Sequence, residues 1–122
     1  MKRKWLIILA LISSLSIFVL SANATENRCG WLQNPTPANW WLIDRDGTWT
    51  ISAQGGYQAR GIDNMPSLSD REYVTTNGSY GYGCACLRVV TDRKQMRIIS
   101  IQSGRQLPLK TCRQDPKLPK NP

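Results

Sequence analysis

The sequence predicts a small, mainly β domain: an antiparallel sheet of two or more hairpins stapled by two disulfides, with a long central loop and little or no helix once a leader is removed. Three observations carry this expectation. Four cysteines occur without a single histidine, an Asp46-Gly47 dipeptide separates two runs of alternating apolar residues, and the N-terminus carries an export signature.

The export signature decides which residues belong to the fold. Lys2, Arg3 and Lys4 form a positive n-region, Trp5 to Leu20 an apolar stretch, and Ser21-Ala22-Asn23-Ala24 ends in the small-x-small pattern that signal peptidase accepts. Cleavage after Ala24 is expected, giving a periplasmic or secreted protein. The apolar run of 16 residues is short of the roughly 20 that a spanning helix needs, so no stable membrane insertion is expected after cleavage. Glu26-Asn27-Arg28 precede Cys29, a context without the small and apolar residues of a lipoprotein signal.

The expected organisation is a signal peptide over 1–24, one β domain over 25–113 and a flexible tail over 114–122. Loss of Lys2, Arg3 and Lys4 lowers the net charge from the +8 of the whole chain, so much of the basicity belongs to the leader. A domain of this size buries limited apolar surface, and disulfides are the usual supplement in oxidising compartments. Cys84 and Cys86 lie at i and i+2 of a predicted strand and so project from the same face. Each therefore needs a distant partner, Cys29 or Cys112. Both crossed pairings remain open, and Cys29–Cys84 with Cys86–Cys112 is the favoured one. A four-cysteine zinc site fits less well, because Cys29 and Cys112 are isolated rather than paired in knuckles. A redox pair would normally sit at a helix N-terminus, whereas Gly81 to Val90 reads as strand.

Asn39 to Arg45 and Thr48 to Gln54 flank Asp46-Gly47, the dipeptide that favours a two-residue hairpin turn. That turn would set Asp44 opposite Trp49, Leu42 opposite Ile51 and Trp40 opposite Ala53. These apolar residues form a core face, leaving Trp41, Ile43 and Arg45 on the other. From Gln54 to Ser79 the chain is rich in Gly, Asn, Ser and Asp and predicts a long loop with a short strand near Glu72–Thr75. Tyr80–Thr91 and Met96–Ser103 predict a second hairpin around Asp92–Gln95. Gly81, Gly83 and Ala85 share one face of it, opposite Tyr80, Tyr82, Cys84 and Cys86, and leave room for tryptophan rings or a flat ligand to approach. Pro116, Pro119 and Pro122 predict a fraying tail.

Arg28-Cys29-Gly30-Trp31-Leu32, Asn34 to Leu42, Asp44 to Ile51, Asn77 to Cys86 and Leu107 to Arg113 together resemble the family of small exported bacterial proteins catalogued as domain of unknown function four-zero-eight-seven. The resemblance covers nearly the whole mature chain. It implies a bacterial periplasmic or secreted protein, with no implied activity, substrate, cofactor or site residue.

The absence of histidine removes Ser-His-Asp and Cys-His nucleophilic sites and most catalytic zinc sites. An enzymatic alternative would be a carboxylate hydrolase using Asp44 and Asp46 or Asp63, Asp70 and Glu72, or a thiol oxidoreductase using Cys84 and Cys86. Acidic residues beside Gly47 also serve turn formation, and no phosphate-binding glycine loop leads into a helix. The expected protein is therefore not an enzyme and needs no cofactor or metal. It is expected to be a binding or inhibitor domain for an envelope glycan or a periplasmic protein, with no nucleic-acid partner. Four tryptophans fall in the mature chain. Trp31, Trp40 and Trp49 fit a core, whereas Trp41 shares its face with Arg45 and is the candidate stacking platform. Tyr80 and Tyr82 join it if the hairpins lie side by side, and Arg93 and Lys94 offer a basic hairpin tip to an anionic partner.

Overall fold

The computed structural model describes residues 24–122; the expected leader, apart from its last residue Ala24, lies outside them. Six strands form one mixed sheet: β1 (Glu26–Thr36), β2 (Asn39–Asp44), β3 (Gly47–Ser52), β4 (Tyr73–Asn77), β5 (Tyr80–Asp92) and β6 (Arg97–Leu107). A single-turn helix, α1 (Leu109–Arg113), follows β6, and two 3₁₀ turns, Ile62–Asn64 and Asp70–Glu72, punctuate the long loop. The mainly β class, the two disulfides and the near-absence of helix are as the sequence indicates.

The sheet closes on itself. Strand β1 pairs with β2 through Trp31–Thr36 and with β5 through Glu26–Asn34. Strand β3 meets β6 in parallel at Thr50 and Arg97. Beyond that point the two strands diverge and residues 57–60 bridge them, Ala59 N–H donating to Ile51 O on one side and Arg60 N–H to Ile99 O on the other. The circuit β1-β2-β3-β6-β5-β1, with β4 beside the start of β5, has the connectivity of the five-stranded, partly open Greek-key barrel known as the OB-fold. A strand shared by two neighbours in so small a barrel must come close to them. At Gly30 an added Cβ would lie 2.0 Å from the carbonyl oxygen of Ile43, so no side chain fits there.

Inside the barrel, Leu32, Leu42, Trp49, Ile51, Leu87, Val89, Ile98 and Ile101 are buried, with Ala59 and Ala85 between them. Ala85 joins the core cluster that contains Trp49, whereas the space expected beside Gly81 and Gly83 is taken by β4 and the long loop. A Cβ at Gly81 would lie 1.8 Å from the carbonyl oxygen of Val74 in β4, and Gly83 faces the Leu68 side chain.

The first hairpin turns one residue earlier than expected, at Arg45-Asp46 rather than Asp46-Gly47. Leu42 therefore pairs with Trp49 and Asp44 with Gly47. The cause is the Asp44 carboxylate, whose Oδ1 accepts both the Asp46 N–H at 2.8 Å and the Trp49 Nε1–H at 2.9 Å, an Asx-type turn. Gly47 supplies the φ of 130° needed to re-enter the strand. The changed register moves the partners of Trp41 to Asp44 by two residues, which preserves side-chain parity there, while a register shift between Trp40 and Trp41 puts Trp40 opposite Ser52. Leu42, Trp49 and Ile51 remain inside, although Ala53 is exposed where the chain leaves β3.

The disulfides are Cys29–Cys86 and Cys84–Cys112, which corrects the favoured pairing. Cys29 lies directly opposite Cys86 in the β1–β5 ladder, while Cys84 lies opposite Trp31 and reaches outward to α1. Bridges spanning 57 and 28 residues stabilise by roughly 4 kcal/mol each on the loop-entropy argument.

The C-terminal tail also departs from expectation: it docks. Trp31, fully buried on the outer face of β1, packs with Tyr82, Cys84, Leu109, Cys112 and Leu118 in a second core outside the barrel. The Trp31 Nε1–H donates to the carbonyl oxygen of Pro119 at 2.7 Å. The prolines that suggested fraying instead sit in a turned segment, in which the Leu118 N–H donates to Asp115 O, and Leu118 and Pro119 lie against this indole. Truncation after Arg113 should uncover Trp31 and cost about 2 kcal/mol, at the low end for losing a buried large side chain, read as a lower denaturant midpoint. An unchanged midpoint would mean that the tail does not contribute.

Candidate binding surface

Strand alternation puts Trp41 and Ile43 of β2 on the outer face of the barrel with Gln33 and Trp31 of β1. Two rows of side chains cross the strands there. One runs Thr48, Ile43, Trp31, Cys84 and Leu107, the other Thr50, Trp41, Gln33, Tyr82 and Val74. The second core covers Trp31, Cys84 and Tyr82, with Ile43, Val74 and Leu107 partly buried against it. Thr50, Trp41 and Gln33 are half-buried beside it. The Trp41 Nε1–H donates to Gln33 Oε1, which commits the amide oxygen and fixes the indole against β1.

The remaining expected site residues do not gather around Trp41. Tyr82 is 8% exposed, with its ring edge-on to Trp31 at 5.2 Å; it is a core residue rather than a displayed platform, because its strand face carries Cys84 and the covering tail. Tyr80, half-buried, opens β5 on the same face. Arg45 sits in the first hairpin turn, four residues from Trp41 and so roughly 13 Å along the strand. Arg45 and Arg93 line a cleft of about 290 Å³ at the base of the barrel, and Lys94 is exposed in the β5–β6 turn. Their charge is partly balanced: Arg93 Nη2 lies 3.4 Å from Glu26 Oε2, and Arg45 Nε lies 3.8 Å from Asp46 Oδ2.

That base is organised by Arg28, a residue to which the sequence reading assigns no role. Its position in β1, four before Leu32, is the available signal that it faces inward. Arg28 is 5% exposed. Its Nη1 donates to Asp44 Oδ2 at 2.8 Å and to Asp46 Oδ2 at 2.7 Å, its Nη2 donates to Glu26 Oε2 at 3.2 Å, and its guanidinium stacks 4.2 Å above the Trp49 ring. Burial opposes the Arg28 charge, but the hydrogen bonds to Asp46, Asp44 and Glu26 outweigh it and raise its pKa. The Thr91 hydroxyl is the largest influence holding the Glu26 carboxyl below its ordinary value, with Arg28 adding to it against the opposing effect of burial. Arg28 does the same for Asp46.

Asp44 and Asp46, the carboxylates considered for hydrolysis, are thus both engaged by one arginine. Glu72 Oε2 accepts the Leu109 N–H at 2.8 Å. All four cysteines are bonded, Cys84 and Cys86 to different partners, so none is a free thiolate in this state.

A second feature missed in the sequence is a groove of about 430 Å³ at the opposite mouth of the barrel, lined by Trp40, Met65, Leu68, Tyr73, Asp63 and Asp70 among others. Trp40 is half-buried, packed on the barrel core and walling this groove at once.

One family model matches the chain over residues 23–119, that described as Protein of unknown function (DUF4087). No curated protein and no solved structure matches significantly.

Replacing Arg28 by Met leaves Asp44 buried without its cation and should destabilise the fold by about 3–5 kcal/mol, measured by chemical denaturation. The lowered Glu26 and Asp46 values contribute stability that is complete above the unfolded carboxylate pKa near 4 and disappears as pH falls through the folded values. The wild-type midpoint should therefore drop below about pH 4, with a shallower slope in Arg28→Met. Equal slopes would show that Arg28 does not set these ionisations.

Proposed function

The chain belongs to the family described as Protein of unknown function (DUF4087), and we propose that it is an exported, non-enzymatic binding or inhibitor domain recognising an anionic envelope glycan. The ligand lies on the outer face of β1, β2 and β3. The observation that carries this reading is the contrast among the tryptophans. Trp31 and Trp49 are at most 1% exposed, while Trp41 is half-open on the sheet surface and held in place by Gln33. A fixed indole offers a flat apolar face for a sugar ring, and the neighbouring amide and the Thr50 hydroxyl can bond to hydroxyl groups.

Two further features support the proposal. Barrels of this connectivity commonly bind oligosaccharides or oligonucleotides on the face of their second and third strands, an analogy of fold that favours the location without fixing the ligand. The two disulfides fit an oxidising extracellular compartment, and no helix among the described residues is long and apolar enough to cross a membrane. An extended ligand lying along β2 would pass from Trp41 to Arg45, whose guanidinium supplies the contact for a carboxylate or phosphate.

The test is titration of the purified protein with muropeptides and with lipopolysaccharide fragments. Trp41→Ala should weaken binding about tenfold, equivalent to roughly 1.4 kcal/mol, and Arg45→Glu should weaken only the anionic ligands. Affinity unchanged in Trp41→Ala would remove the site, and binding of an envelope protein instead of either glycan would replace the ligand class.

A further inference from the structure

We propose that the groove at the mouth of the barrel is a second binding site, taking an extended cationic peptide segment of a partner protein in which Lys or Arg alternates with apolar residues. The proposal does not rest on the Trp41 face, and the two sites are separable by mutation.

The inference comes from following each carboxylate in the chain to its partner. The sequence contains eight Asp and Glu residues. Glu26, Asp44 and Asp46 are held by Arg28. Glu72 accepts the Leu109 N–H, Asp92 the Gln95 N–H and Asp115 the Lys117 N–H. Among the described residues, only Asp63 and Asp70 have neither a hydrogen bond to their side chain nor an ion pair, and both line the same groove. No lysine or arginine lines it, although basic residues outnumber acidic ones 16 to 8 in the chain. On a basic protein this gathers the two carboxylates without a partner among the described residues in one groove, where they favour a cation over an anionic ligand.

The walls determine which cation fits. Trp40, Met65, Leu68 and Tyr73 line the same groove as the two acids, and part of this apolar wall is already anchored, since Trp40, Met65 and Leu68 pack on the barrel core. A bare inorganic cation would leave these walls wetted. A lysine or arginine can instead lay its aliphatic stem along them while its head meets a carboxylate, and an apolar neighbour can fill the remaining space. At about 430 Å³ the groove has the size of an ordinary ligand pocket.

Tyr73 also opens β4, the strand that ends the sheet order and pairs only with β5. Its other edge offers unpaired backbone donors and acceptors beside the groove, as peptides added to a sheet edge require. An extended segment can therefore bond to β4 while alternate side chains enter the groove.

The probe is a fluorescein-labelled hexapeptide of alternating Lys and Leu, with Lys-Ser and Glu-Leu hexapeptides as controls, titrated by anisotropy against the purified protein. The Lys-Leu peptide should bind saturably, the Lys-Ser and Glu-Leu peptides at least tenfold more weakly. Asp63→Asn with Asp70→Asn, two exposed positions that carry no side-chain bond, should reduce Lys-Leu affinity at least tenfold without changing thermal stability. Trp41→Ala should leave it unchanged. Absence of saturable Lys-Leu binding, equal binding of the Lys-Ser peptide, or binding insensitive to the double substitution would each overturn the proposal. A loss in Trp41→Ala equal to that in the double variant would do so as well, by placing the peptide on the sheet face.

Discussion

The barrel depends on a charge buried at its base. Arg28 reaches inward from β1 and binds Asp44 at the end of β2 and Asp46 in the following turn, so one side chain joins the shared strand to the first hairpin. Asp44 answers with its second oxygen, taking the Asp46 N–H and the Trp49 indole, and Trp49 in turn lies under the guanidinium. Turn position, hairpin register and the orientation of the largest interior side chain are thereby coupled. A buried ion pair is seldom a net gain over apolar packing, but removing one partner is costly. Its value here is in specifying one register where a two-residue slip would keep every apolar side chain on its proper face.

With the interior filled by Trp49 and the aliphatic residues, what differs along the outside is what covers it. On one stretch of β1 and β5, Cys84–Cys112 ties α1 to the sheet, and Leu118 and the Pro119 carbonyl close over Trp31. Cys29–Cys86 fastens the same two strands where they pair. The rigid seam ends beside Trp41. The cover therefore explains both why Tyr82 is lost as a ligand platform and why Trp41, one row from Trp31, retains an open face. At the barrel mouth, Met65 and Leu68 act as a plug whose outer side becomes the wall of the Trp40 groove.

Much of this was legible in the residues wherever alternation governs. The β class, the second hairpin, the burial of Leu42, Trp49 and Ile51, and the outward direction of Trp41 follow from period-two patterning and need only the strand. What escaped depends on partners distant in sequence. The pairing of Cys84 and Cys86 turns on the β1–β5 register, and parity allows either choice because the two cysteines share a face. The Asp46-Gly47 signal was overridden by an Asx turn from Asp44, itself fixed by an arginine in another strand. Proline content suggested a loose tail because proline cannot join a ladder. Yet the turn from Asp115 to Leu118 needs no ladder, and it sets Leu118 and the Pro119 carbonyl over Trp31. The acidic groove was hidden for a similar reason, as Asp63 and Asp70 fit ordinary loop composition until every other carboxylate is seen to be engaged.

The central claim is that this stapled barrel binds a ligand through the outer face of its first three strands. It is tested most directly by photo-cross-linking in the native envelope, with a photoreactive residue at Thr50 beside Trp41 or at Arg105 on β6. The account predicts a discrete glycan-containing adduct from position 50 and none from position 105. Capture from position 105 alone, or equally from both, would contradict it.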